Sequence, residues 1–379
     1  MKLKDRALAP YRIELLEQAF RCVSKMPEMP HIKDRSTAQY KVVEAMLRLH
    51  QPARASARFE QVHNWRQGLC HAALAEYCAE HGSRGAVAPH IDAGKRIAES
   101  VRSDEDGQEW YRDRIRARIA RALLLLGERA EATKYAGVVV SELGAIEAIR
   151  ARQLEATRIQ EQLELLDKVA AQRDFDLTNN AIGVCLELYA RFYQDANHRG
   201  SIRRRVEASF THLPVNVRFD ALVRLGNVAA EHADKPEAAS LAKAAAAQLE
   251  AGRWLPGARV VMDARLAELL HRAGDSARAR EVLAQAQKLF DAQREQIQSF
   301  DRAESLRPIA EAYQAIGDTA AALAIYRRAV EDGAENPNAR PRAEDLAATC
   351  CSMAVHGVEP DAGLRARLSA IENGLKDPW

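Results

Sequence analysis

The sequence predicts an all-α chain, an α-solenoid in which antiparallel helix pairs stack on one another. Three observations predict it. Glycine and proline are sparse, at 19 and 13 residues in 379, below the usual combined share of ~12%, which favours long helices with few turns. Hydrophobic residues make up 47% and charged residues 28%, with only 6% aromatic. That fits a chain with a real core and argues against β-rich, collagen-like, low-complexity and disordered classes. Above all, one pattern recurs: an apolar helix, a short break holding Gly or Asp, then a second helix carrying a small residue.

Taken in order, residues 11–24 (YRIELLEQAFRCVS) place Leu15, Leu16, Ala19, Phe20 and Val23 on one side of an N-terminal packing helix. A unit follows around His50 and a weaker one around Gly82. The next breaks at Gly127, flanked by Ala120 and Ala132. Residues 142–210 read as helical but match poorly, without a glycine break in the run that begins GAIEAIRARQ, and join the array by continuity. Three good units follow. Asp234 has Gly226, Ala238 and Ala245; Gly274 has Ala267, Ala279 and Ala286; Gly317 has Ala310, Ala322 and Ala329. A weaker unit centres on Gly357, and residues 361–375 form a C-terminal cap. The expected organisation is therefore 1–30 as a packing helix, 31–357 as the array with 142–210 irregular, and 358–379 as cap and tail.

The physics of each unit is consistent. Small side chains let two antiparallel helices approach closely, while Leu225, Leu266, Ile309, Leu283, Tyr313 and Tyr326 fill the gaps. A glycine at the break ends the first helix in a left-handed conformation without a Cβ clash. Asp275-Ser276 and Asp318-Thr319 are placed to cap the second helix. One helix pair cannot bury both faces, so stability comes from stacking neighbours.

The Ala310, Tyr313, Gly317, Ala322, Tyr326, Ala329 series resembles the tetratricopeptide repeat, with Leu222 and Leu306 where that family carries a tryptophan. The resemblance implies a right-handed superhelix that binds other proteins. Successive breaks recur about every 42 residues, against a usual ~34, a period similar to the kinesin light chain type of repeat. That similarity implies a cargo or cytoskeletal adaptor, with a tubulin-like filament as one partner. It also implies that the second, fifth and ninth positions of each first helix face the groove. These are Arg114, Ala117 and Arg121; Asp220, Val223 and Asn227; Val261, Ala264 and Glu268; and Glu304, Arg307 and Glu311, with Tyr40 and Glu44 from the first unit. The lysine-and-asparagine pattern of a clamp for acidic C-terminal peptides is met only at Asn227.

No stretch reaches the ~18 apolar residues of a membrane helix, and the N-terminus lacks the apolar block of a secretory signal. Six scattered cysteines read as reduced, buried thiols in a cytoplasmic protein. In CHAALAEYCAEH, His71 and Cys78 share a helical face and His81 lies one turn on, so zinc is conceivable. The helix-packing reading of Cys70 and Cys78 is the stronger, because there is no C-x-x-C. The sequence has no G-x-x-x-x-G-K-[ST] loop, G-x-S-x-G turn or H-E-x-x-H pair. A non-catalytic chain without cofactor or metal is expected.

Two basic clusters remain. Arg114, Arg118 and Arg121 share one face by their spacing, and Arg203, Arg204 and Arg205 are consecutive. They read either as solvated faces, since Asp113 and Glu207 interleave, or as a landing site for an acidic partner surface. Nucleic acid fits poorly, because the net charge is +2 and no aromatic residues interleave with the arginines. Trp254 reads as packing between units, and Trp379 as a frayed or loosely docked end. The function expected is a protein-binding adaptor or scaffold. The alternatives are a peptide-sensing regulator or a non-catalytic subunit of an enzyme complex.

Overall fold

The computed structural model describes residues 3–100, 109–138 and 140–379. Among them every regular element is a helix. In chain order these are α1 (Pro10–Ser24), α2 (Glu28–Arg48), α3 (Pro52–Ser56), α4 (Arg66–Glu80), α5 (Val87–Ser100), α6 (Glu109–Leu126), α7 (Arg129–Thr133), α8 (Val140–Arg152), α9 (Ile159–Ala170) and α10 (Phe175–Arg191). There follow α11 (Ala196–Ala208), α12 (Val215–Glu231), α13 (Lys235–Ala251), α14 (Pro256–Arg272), α15 (Ser276–Gln293), α16 (Ser299–Ala315), α17 (Thr319–Ala334), α18 (Ala339–His356) and α19 (Ala362–Asn373). The chain divides into two compact units. The first holds the N-terminal residues to Cys70, Arg253–His271 and Ser276–Trp379; the second holds His71–Gly252 and Arg272–Asp275.

In the first unit the hairpin α16–α17 shows how the repeated pattern becomes structure. Gly317 takes φ 88°, and the Asp318 N–H returns to the Tyr313 carbonyl at 2.9 Å. The Asp318 carboxylate then accepts from the Ala321 N–H at 3.1 Å, starting α17. Ala310, Ala322 and Ala329 are fully buried, as is Tyr326. Methyl groups at those points let the two helices lie in contact, and each buried methylene-sized group removed from water contributes roughly 0.8 kcal/mol. Ala267, Ala279 and Ala286 on α14 and α15 are also fully buried.

The N-terminal helix packs along α18, close to the end of the chain. Leu15, Leu16, Ala19, Phe20 and Val23 form its buried side. Arg12 donates to the Ala354 and Val355 carbonyls at 2.5 and 2.8 Å, supplying donors to the last turn of α18. Arg21 pairs with Glu372 at 3.0 Å, and Lys25 donates to the Glu372 carbonyl at 2.7 Å. The segments 1–30 and 358–379, read from sequence as separate terminal pieces, thus meet in one unit. The tail docks as well: the Ala339 N–H donates to the Pro378 carbonyl at 2.7 Å, and Trp379 is half-buried.

In the second unit α12 and α13 form a hairpin of the same kind, with Ala238 and Ala245 fully buried. Its left-handed residue is Ala233, at φ 58°, followed by Asp234 capping the Glu237 N–H at 3.1 Å. Residues 142–210, which sequence left without breaks, divide into α8, α9, α10 and α11. Arg173 adopts φ 57° before α10. Asp174 caps the Leu177 N–H at 2.9 Å, and Asp195 caps the Asn197 N–H at 2.9 Å.

Candidate functional site

The second unit carries the two basic clusters. On α6, Arg118 Nη1 lies 3.1 Å from Glu76 Oε2, and Arg121 pairs with the other oxygen of the same carboxylate. Glu76 comes from α4 and its side chain is 10% exposed, so one nearly buried anion holds two arginines. Arg114 turns elsewhere, pairing with Glu142 at 3.1 Å and lying 4.8 Å from the Trp110 ring centroid. The three arginines that share a face by spacing are therefore divided between two counterions.

The second cluster is divided too. Arg203 bonds Glu207 and Glu237, each at 2.8 Å, and Arg205 bonds Asp167 at 2.9 Å. Arg204 is exposed, and among the described residues it has no ion pair. Exposed ion pairs contribute only ~0.2–1 kcal/mol each, but they remove most of the charge a partner would meet. Asn227 on α12 is half-buried, and its Oδ1 is buried without a hydrogen-bond partner.

Further expected groove residues lie in the first unit. Glu268 is half-buried on α14. Arg307 on α16 pairs with Asp345 on α18 at 3.1 Å. Glu311 accepts from Ser352 Oγ at 2.6 Å and lies 3.7 Å from His356 Nε2. Ser352 in turn meets the Tyr326 hydroxyl at 2.7 Å. Burial, with Glu311 adding, pushes the Tyr326 phenol up, so it stays protonated. This chain of contacts ties α16, α17 and α18 together.

The residues weighed as zinc ligands take other partners. His71 Nδ1 lies 3.0 Å from His90 Nδ1 on α5, with ring centroids 5.2 Å apart. The contact is a hydrogen bond between the two imidazoles, whose donor depends on the tautomer. Burial is the main cause that lowers His71 to about 4, with His90 and Arg96 adding, and burial lowers His90 as well. His81 stacks on Tyr77 at 4.1 Å. Cys70 and Cys78 are buried thiols outside any disulfide, and burial pushes the Cys78 thiol up to about 11. Among the described residues no group of three or more His, Cys, Asp or Glu is placed to hold a metal ion. None of the helices they form is long and apolar enough to cross a membrane.

Sequence reasoning missed His90 as the partner of His71 and missed the carboxylates gathered beside Arg307. A signal for the second existed in Asp301 and Glu304, three residues apart on α16. No family model, curated protein or solved structure matches this chain.

Proposed function

We propose that this chain is a non-catalytic adaptor or scaffold that holds another protein along an extended helical surface. The observation that carries the reading is the pairing of α12 with α13 and of α16 with α17 through buried alanines at the repeated positions. Helix pairs that meet through methyl groups stack into arrays with broad outward faces rather than closing around a deep pocket. The clefts of the first unit fit that picture: two hollows of about 300 and 390 Å³ lie open on its surface. The tetratricopeptide resemblance, with its long kinesin-light-chain-like period, supports the same class and adds a filament-associated role as its specific form.

The test is affinity capture of the full chain followed by mass spectrometry and reconstitution with the purified partner. A stoichiometric protein complex supports the reading. Turnover of a small molecule by the isolated chain, or a failure to bind any protein, removes it. Co-sedimentation with a tubulin-like polymer examines the specific form. Retention in the supernatant at micromolar concentration ends that form and leaves the adaptor class standing.

A further inference from the structure

Between α2, α16 and α18 of the first unit lies a groove of about 300 Å³. Five carboxylates line it: Asp34 on α2, Asp301 and Glu304 on α16, and Glu344 and Asp345 on α18. Lys41 and Arg307 are the cations in its lining, and Arg340 stands beside Asp34 and Glu344. Asp345 is matched by Arg307 at 3.1 Å, and Asp34 by Arg340 at 3.2 Å. Among the described residues, no basic group lies within ion-pair distance of Asp301, Glu304 or Glu344. Asp345 is 8% exposed, and its Oδ2 has no hydrogen-bond partner.

This is an electrostatically unsatisfied place. Burial raises the carboxyls of Asp301, Glu344 and Asp345. Glu304 adds to it at Asp301. At Glu344, Arg340 and Lys41 oppose it while Asp34 adds to it, and at Asp345, Arg307 opposes it while Glu304 adds to it. Negative charge is held where part of its water has been removed, so an incoming cation gains more here than on an open surface. The charge is also spread out, since no three of these groups are placed to share one metal ion. Ala38, Val42, Ala347 and Ala348 add apolar side chains to the lining. At the start of α16, Phe300 also lines the groove and leaves 54% of its surface exposed.

We propose that this groove docks a cationic peptide segment of a partner protein, with lysine or arginine side chains meeting Asp301, Glu304 and Glu344 and an apolar side chain against Phe300. The proposal rests on the adaptor reading and names the chemistry of its partner. Dispersed carboxylates suit side chains spaced along an extended backbone, and guanidinium groups bond carboxylates through paired donors. Charge complementarity of this kind speeds encounter and sets specificity. The exposed aromatic ring supplies the apolar anchor that a purely ionic site lacks.

The experiment uses the full chain and a fluorescein-labelled decapeptide of alternating arginine and serine with a central leucine. The matching glutamate peptide serves as control, and anisotropy is read at low and at moderate salt. The arginine peptide is expected to bind, weakening as salt rises, and the glutamate peptide is not. Asp301→Lys with Glu304→Lys weakens binding at least tenfold, and Phe300→Ser weakens it severalfold. Glu60→Lys, at an exposed position outside the groove, leaves it unchanged. Glu304→Gln, an isosteric change at an exposed site, gives the same reading in smaller measure if the double variant fails to fold. Binding that ignores Glu304→Gln and Phe300→Ser overturns the proposal, as does competition by spermine at the same concentration as peptide, which marks a small-polycation site. A partner captured equally by the wild type and the double variant removes the groove but not the adaptor reading. Peptide binding lost in the variant, with no protein captured by the wild type, keeps the groove chemistry and removes the adaptor reading.

Discussion

The hairpin α16–α17 and the run α8–α11 are both helical, yet they are held together by different means. In α16–α17 the contact surface is made of alanines with no exposed area, closed by Gly317 and the Asp318 cap. In α8–α11 larger apolar residues such as Ile146, Ile149, Leu163 and Leu188 are buried, and long polar side chains also reach from one helix to the backbone or carboxylates of the next. Arg191 donates to the Leu154 and Arg152 carbonyls at 2.7 and 2.6 Å, and Arg152 pairs with Glu187 at 2.7 Å. Gln153 reaches the Leu124 carbonyl of α6 at 2.9 Å. The helices before this run follow suit, through the Arg118–Glu76–Arg121 group and the His71–His90 pair. Close methyl packing is insensitive to pH and salt but intolerant of volume. Polar bridging tolerates shape changes and depends on protonation and screening.

Acid gives the largest expected separation between the two. His71 and His90 are lowered in the folded chain, His71 to about 4 against an ordinary 6.5. As pH falls below about 6.5 the unfolded chain takes up protons that the folded pair refuses. Stability is therefore intact above that pH and declines down to about 4, where the folded His71 also titrates. For His71 alone, half-buried and so partly screened by solvent, the span corresponds to roughly 1–2 kcal/mol. Urea denaturation between pH 7.5 and 4.5 should show this slope in the wild type and a shallower one in His71→Gln. Equal slopes would mean that the imidazole pair does not set the acid sensitivity of its unit.

Volume tests the other side of the comparison. Ala310→Leu places three carbons where two helices touch, and overpacking of this kind costs about 1–3 kcal/mol. The same substitution at Ala208, the last residue of α11 and exposed, should cost under about 0.5 kcal/mol, in line with surface changes. Thermal melts by circular dichroism would read both. A tolerated leucine at 310 would show that the hairpin is not held by close approach. A third, smaller effect belongs to the shared carboxylate. Glu76→Gln leaves Arg118 and Arg121 without their anion, at a cost of about 1–2 kcal/mol. Added salt should shrink the difference from wild type, and a deficit unchanged by salt would point to lost packing instead.

These differences explain what could be read in advance. The small residues, the Asp318 cap and the apolar side of α1 are local signals, spaced by helical geometry, and each lies buried or capping where the pattern places it. The polar bridges are not local. Arg118 and Glu76 are 42 residues apart, His71 and His90 are 19 apart, and Arg12 reaches a carbonyl 342 positions away. The arginine clusters were visible as charge, but their counterions come from other helices, so the sequence could not show how little of that charge remains open. The acidic groove was hidden for the same reason: Asp34 and Glu344 belong to opposite ends of the chain, and only the packing of α2 on α18 brings them together.

The smallest expected effect separates two hairpins that look alike. Gly317 and Ala233 both take the left-handed conformation, at φ 88° and 58°, and each precedes an aspartate cap. In alanine that conformation costs about 1–2 kcal/mol, and a glycine there gives back roughly 0.5–1 through its freer unfolded chain. Ala233→Gly should therefore stabilise by about 0.5–1 kcal/mol, and Gly317→Ala should destabilise by a similar amount. A Cβ at Gly317 would meet nothing within 4 Å, so the second change is a test of backbone conformation free of collision. Opposite signs in paired melts would show that α12–α13 keeps its turn through the Asp234 cap and the packing of Ala238 and Ala245, against the preference of its own backbone. Two shifts of the same sign would mean that the resemblance between the turns stops at their dihedral angles.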